Sequence, residues 1–151
     1  MIEEALSALT FEDSKAGSMF TYATKGGRRA RPNMLLLSCE AVGGNPKSAI
    51  PLALAIELMH KFTLIHDDMV DGDELRRGNP TFYKRYGGDY AIFMGDFICS
   101  ESICQLKQVM ETDPKKAYPC YAMLSNAFYK LCLGEVLDAS PSKFMTEEEY
   151  L

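Results

Sequence analysis

"ELMHKFTLIHDDMVDGDELRRGNPT", Glu57–Thr81, is the stretch on which the fold turns. An apolar run ends in three aspartates, Asp67, Asp68 and Asp71, and two arginines, Arg76 and Arg77, follow within six residues. Just upstream, Leu52, Ile56, Met59 and Leu64 recur close to the helical period. Ser48 offers an N-cap and Pro51 suits a first turn. The pattern predicts one helix from about Ala49 to Val70, about 30 Å long. Its apolar residues occupy more than one side, as expected of a helix inside a bundle. "DGDELRRGNPT" reads as a loop leaving that helix.

Working outward, strand signals are weak and helical spacing dominates. Leu6, Leu9 and Ala16 suggest a first helical region. "KGGRRARP" breaks it, and Pro32 opens a second helix that stops at Gly43-Gly44. "GNPKS" is a turn. After the central stretch a short helix is expected at Phe82–Tyr86, closed by Gly87-Gly88. A long helix follows, in one piece or two about Gly95. "DPKKAYP" reads as a link, and a last helix, "CYAMLSNAFYKLCLGEVLDAS", runs from Cys120 to Ser140. "TEEEY" begins like a capping box, with Thr146 and Glu149, yet the chain stops at Leu151. The expectation is an all-α bundle, a single helical domain over 1–151 that forms the front part of a larger protein.

Bulk composition narrows the function classes. The chain has 151 residues, 47% of them hydrophobic and 25% charged, which suits a globular core and excludes a disordered chain. A net charge of -5 argues against nucleic acid as a partner. No apolar run reads as long enough to span a bilayer, and the N-terminus lacks a basic head and cleavage site, so a cytoplasmic location without a transmembrane segment is expected. The five cysteines show no C-x-x-C spacing and read as buried thiols. With only two histidines and no cluster of soft ligands, a zinc site is disfavoured.

The aspartates are costly where they stand. Asp67 and Asp71 are four apart and so stack on one helix face, with Asp68 beside them. Like charges repel, and a helix C-terminus disfavours anions. A cation offsets both penalties. Mg²⁺, or Mn²⁺ in its place, suits two carboxylates plus substrate phosphates, so Asp67 and Asp71 are the candidate metal ligands. Arg76 and Arg77 offer forked guanidinium groups for phosphate. "KGGRRARP" adds Lys25, Arg28, Arg29 and Arg31 beside two glycines that let backbone approach a ligand closely. The order of a P-loop is absent. One acidic cluster with two arginine clusters implies two anionic groups, one bound through metal and one directly. A diphosphate leaving group under Mg²⁺ fits the first.

At these residues the chain resembles the trans-isoprenyl diphosphate synthases, or polyprenyl synthetase family. "GGRRARP" (26–32) is similar to the family's G-G-K-x-x-R-P. The central stretch is similar to its first aspartate-rich motif with R-R-G-x-P-T, and "GD" (95–96) and "GEVLD" (134–138) resemble two later landmarks. The resemblance implies an isoprenoid-synthase helical bundle and head-to-tail prenyl transfer, in which an allylic diphosphate ionises and is attacked by isopentenyl diphosphate. By carry-over, Asp67 and Asp71 hold Mg²⁺ on the allylic diphosphate and Asp68 supports them. Arg76 contacts the allylic diphosphate. Arg77, Arg28, Arg31 and His60 belong to the isopentenyl diphosphate site, and His60 shares a helix face with Asp67. His66 is a hydrogen-bonding support. Phe62, five residues before Asp67, forms the floor of the product tunnel, as in short-chain archaeal geranylgeranyl diphosphate synthases, which implies C15–C20 products.

Three departures bear on this. Arg28 stands where the family usually has Lys, and Glu135 stands where a glutamine is usual. The second aspartate-rich motif has no counterpart after Asp138. The expected consequence is a chain that turns over weakly or not at all by itself, with the missing face supplied by the parent protein, a homo-oligomer or a partner chain. The alternatives are a regulatory subunit that binds prenyl diphosphate beside a full-length synthase, a terpene cyclase, which the arginine clusters disfavour, and a purely structural helical protein.

Overall fold

The computed structural model describes residues 1–138 together with Thr146 and Glu148. The expected Thr146–Glu149 capping pair lies outside the described residues. The chain divides into two compact units, Met1–Thr112 and the segment from Asp113 onward.

In the first unit, α1 (Ile2–Ser7) and α2 (Ser14–Thr24) replace the one helical region expected from Leu6, Leu9 and Ala16. Asp13 restarts the helix: its Oδ1 accepts the Ala16 amide at 2.7 Å. Helix α3 (Ala30–Ala41) begins two residues before Pro32, which sits buried in its first turn. A 3-10 turn at Pro46–Ala49 leads into α4 (Ile50–Val70). Ser48 does not cap α4. Its hydroxyl donates to the Asn45 carbonyl at 2.7 Å, and Asn45 caps the 3-10 turn through the Lys47 amide at 3.0 Å. Proline-proof entry at Pro51 is as the sequence implies.

The expected loop after α4 contains a small antiparallel hairpin, β1 (Leu75–Arg76) and β2 (Asn79–Pro80), with Arg76 opposite Asn79. Its two turn residues, Arg77 and Gly78, have φ of 54° and 78°. These are the positive values that a primed two-residue turn requires. A bulky cation in the left-handed region was invisible as a turn signal. Thr81, almost fully buried, locks the base of the hairpin. Its amide donates to the Glu74 carbonyl at 3.0 Å, its hydroxyl donates to the Asp73 carbonyl at 2.7 Å, and the same hydroxyl caps α5 (Phe82–Tyr86).

Helix α6 (Gly88–Thr112) is one continuous helix through Gly95. It packs along α4, and this pair forms the centre of the core. Leu58 and Ile98 are wholly buried there, as are the small residues Ala53, Ala55 and Ala91 that let the backbones approach. Burying a leucine such as Leu58 contributes about 2 kcal/mol. Gly95 stays glycine for space: a Cβ there would overlap the His66 ring. Gly95→Ala gains about 1 kcal/mol of helix propensity but overpacks this crossing by about 1–3 kcal/mol. The expected net result is a lower Tm, read by thermal circular dichroism.

Pro46–Val70 is long and apolar enough to cross a membrane by length and composition, contrary to the sequence expectation. Glu57 and Lys61 interrupt the run to the eye without making it polar on average. In this fold 56% of that window is buried inside the protein.

The second unit, described by itself, holds α7 (Pro114–Asp138). "DPKKAYP" is therefore helix rather than a link. Asp113 accepts the Lys116 amide at 3.3 Å, Pro114 occupies the first helical position, and Pro119 is accommodated inside the helix. A proline there removes the donor to the Lys115 carbonyl, and Lys115 is exposed, so that carbonyl remains open to water.

Candidate functional site

Three pieces of the first unit surround a cavity of about 490 Å³. They are the glycine turn before α3, one face of α4 and the hairpin. The α4 face is Glu57, His60, Lys61, Leu64, Ile65 and Asp68, spaced three and four apart as one helical stripe requires. Seven cationic side chains line the cavity against two carboxylates, in a chain whose net charge is -5. The acidic surplus lies elsewhere, and the cavity is locally an anion trap.

The cations divide into two kinds. Arg29 is buried and consumed by structure. Its Nε donates to Glu3 at 2.7 Å, Nη1 to Glu57 at 2.5 Å and Nη2 to the Thr24 carbonyl at 2.9 Å. Arg76 is pinned as well. Its Nε donates to Oδ1 of buried Asp68 at 2.6 Å, and its Nη2 forms an ion pair with the same oxygen at 2.5 Å. That hydrogen bond pushes the Arg76 pKa up. By contrast, Arg28, Arg31 and Arg77 line the cavity, are exposed, and form no ion pair among the described residues. Arg77 leans over the glycine turn: a Cβ on Gly27 would lie 3.3 Å from its Nη1. Gly27 also has φ of 105°, so its backbone conformation demands glycine there.

His60 lines the same cavity. Burial, and then the charge of Arg31, hold its imidazole below the usual range, so it is neutral at pH 7 and can both donate and accept. Lys61, which the sequence reading passed over, is buried beside it. Its Nζ donates to the Gly26 carbonyl at 2.9 Å and toward the Lys25 carbonyl at 3.4 Å. Burial, and then the charge of Arg29, lower its pKa to about 8, with Glu57 opposing them. The buried ammonium therefore destabilises the fold below pH 8. That penalty is relieved as pH rises from 8 toward 10.5, because the unfolded chain then binds more protons than the folded one. The signal in the sequence was two charges four apart, Glu57 and Lys61, inside an otherwise apolar helix.

The aspartates do not act as one cluster. Asp68 faces the cavity and Arg76, whereas neither Asp67 nor Asp71 lines that cavity. Asp67 is half-buried, and Asp71 is exposed as the C-terminal cap of α4. Among the described residues no three Asp, Glu, His or Cys side chains converge on one metal position. Two hard oxygen donors four residues apart at a helix end fit a divalent cation that keeps waters and phosphate oxygens, and do not fit a complete protein cage. Phe62 is buried, with its ring edge-on to His66 at 5.7 Å between centroids. His66 approaches the Ile92 carbonyl at 3.4 Å and supports the α4–α6 crossing. Glu135 is exposed on α7 in the second unit.

Comparison with known proteins agrees with this geometry. Residues 14–151 match the polyprenyl synthetase family. A geranylgeranyl diphosphate synthase of Methanosarcina mazei is 43% identical over 128 residues, covering 83% of this chain and 39% of that protein. A short chain isoprenyl diphosphate synthase of Methanothermobacter thermautotrophicus is 38% identical over 152 residues, covering 99% of this chain and 46% of that protein. The crystal structure of a geranylgeranyl pyrophosphate synthetase from Pyrococcus horikoshii superposes with a TM-score of 0.85 at 36% identity, covering 99% of this chain and 47% of that one. The chain thus spans less than half the length of these relatives. With the fold, the motifs and the similarity in agreement over nearly all of its residues, the chain belongs to the polyprenyl synthetase family.

Proposed function

We propose that this chain carries the first diphosphate-binding wall of a prenyltransferase, as the N-terminal part of one prenyl synthase helical domain. The reaction is condensation of an allylic diphosphate with isopentenyl diphosphate to a short-chain, C15–C20, prenyl diphosphate. One observation supports this above the others: three arginines without an ion pair among the described residues converge from two segments on one cavity beside a largely apolar helix. Arg28, Arg31 and Arg77 hold the isopentenyl diphosphate, with neutral His60 adding a hydrogen bond. Arg28 does so as a fork where a lysine would be a point charge. Arg76, oriented by Asp68, addresses the allylic diphosphate. Asp67 and Asp71 are the residues that would hold Mg²⁺, or Mn²⁺, which when bound neutralises charge on a departing diphosphate. Phe62 is the proposed limit on product length. Glu135 is assigned to substrate binding on the motif resemblance alone, and its carboxylate lacks the donor that an amide would have. Water-soluble diphosphate substrates go with a cytoplasmic enzyme, and a homo-oligomer or partner chain is the proposed source of the opposite wall.

Titration calorimetry tests the binding wall. The chain is expected to bind isopentenyl diphosphate, and Arg31→Ala and Arg77→Ala each to weaken it about 10–100-fold. That is the magnitude of a lost charge-assisted hydrogen bond. Affinity should fall with added salt. No binding by a folded wild-type chain would overturn the reading. Binding without turnover, restored by a full-length synthase, would favour the regulatory-subunit alternative.

A further inference from the structure

The glycine turn that carries Arg28 does not hold itself in shape. Gly26, Gly27 and Arg29 have φ of 70°, 105° and 49°, three left-handed residues in four. Among the described residues, no backbone–backbone hydrogen bond involves Gly26, Gly27 or Arg28. The tie comes from α4: the Lys61 ammonium donates to the Gly26 and Lys25 carbonyls. A Cβ on Gly27 would lie 3.7 Å from that nitrogen, so the ammonium lies directly against the turn. Burying an ammonium is costly unless hydrogen bonds compensate, and the bonds that Lys61 makes here all go to the turn.

We propose that Lys61 is a positioning residue, a clamp that keeps the glycine turn in the shape presenting Arg28 to the cavity. Its consequence for substrate rests on the diphosphate reading above; its geometry does not. The clamp weakens when the ammonium loses its proton, since a charged donor makes the stronger bond to a carbonyl. The groups facing Lys61 set where this happens. Arg29 at the start of α3 and Arg77 at the hairpin tip push its pKa down, while Glu57 on α4 and Glu3 from α1 push it up. The balance, with burial, gives about 8. A diphosphate entering beside Arg77 adds negative charge near the ammonium, so binding favours the protonated clamp.

Two measurements on the chain test this, using Lys61→Met and Lys61→Arg. The first is the backbone order of Gly26, Gly27 and Arg28 without ligand, read by nitrogen-15 relaxation. Lys61→Met is expected to lower their order parameters from the rigid range, about 0.85, to below about 0.6. Leu58–Ile65 of α4 stays protected from amide hydrogen exchange as in wild type, which controls for folding. The second is affinity for inorganic pyrophosphate and isopentenyl diphosphate between pH 7 and pH 10. The wild-type advantage over Lys61→Met is expected to be about tenfold at pH 7 and to vanish toward pH 10, whereas Lys61→Arg keeps its advantage throughout. Unchanged order parameters in Lys61→Met overturn the clamp, even if wild type binds diphosphate well. A pH-independent advantage overturns the protonation link and reduces Lys61 to a packing residue. Lowered order in Lys61→Met, together with a wild-type chain that binds no diphosphate, upholds the clamp and removes the functional reading instead.

Discussion

Arg29→Met is expected to lower stability by about 3–5 kcal/mol, measured by denaturant unfolding. Arg29 joins Glu3 of α1, Glu57 of α4 and the end of α2 at the Thr24 carbonyl. Glu57 is only 3% exposed, so removing its guanidinium leaves a carboxylate in the interior with no hydrogen-bonding partner of that strength. The penalty is that of an uncompensated buried charge rather than the net worth of the pair. A double variant, Arg29→Met with Glu57→Leu, removes both charges and should recover much of the loss. If the two single changes simply add, the pair is not coupled and this account of the network fails.

Asp67→Asn combined with Asp71→Asn should have a small effect on stability and the largest effect on function. The two carboxylates sit in the last turn and cap of α4, against the helix dipole and against each other, while Asp67 also attracts Arg76. These effects oppose one another, so stability should change by less than about 1 kcal/mol. The same change should abolish the tightening of allylic diphosphate binding by Mg²⁺. Under the proposed function, turnover by the chain together with its opposite wall should fall on the order of a thousandfold, the several kcal/mol expected of metal-borne charge stabilisation. Calorimetry with and without Mg²⁺ reads the first effect and a steady-state assay the second. Mg²⁺-dependent binding that survives in the double variant would assign the metal to other ligands. A gain in stability alongside the loss would show that the aspartates are kept for function at the fold's expense.

The legibility of this chain in its sequence follows the range of the forces. Helix α4 was readable because an apolar run at helical spacing depends only on neighbours along the chain. The R-R-G-N-P-T segment was readable as a phosphate-seeking motif but not as a hairpin. Arg77 sits in the left-handed region because Thr81 and Gly78 fix the turn around it, and nothing local to arginine favours that conformation. Helix α6 runs straight through Gly95, because the absent side chain serves the approach of His66 on α4 rather than a break. "DPKKAYP" misled for the converse reason: Pro114 opens the helix, and Pro119 lies inside it where the carbonyl it leaves without a donor belongs to exposed Lys115.

The candidate site divides in the same way. By itself the sequence supplied the groups: carboxylates four apart at a helix end, two arginine clusters, a glycine turn and an apolar helix, together with the family those motifs resemble. Only the tertiary structure decided which charges are spoken for. Arg29 goes to Glu3 and Glu57, and Arg76 goes to Asp68, leaving Arg28, Arg31 and Arg77 open to the cavity. It alone brought Lys61 against the glycine turn, 35 residues away in the chain. A charge's partner is set by a few ångströms in space, and burial raises the energy of getting it wrong. Spacing along a chain determines which face of a helix a residue takes, and the packing of other segments onto that face determines what it meets there.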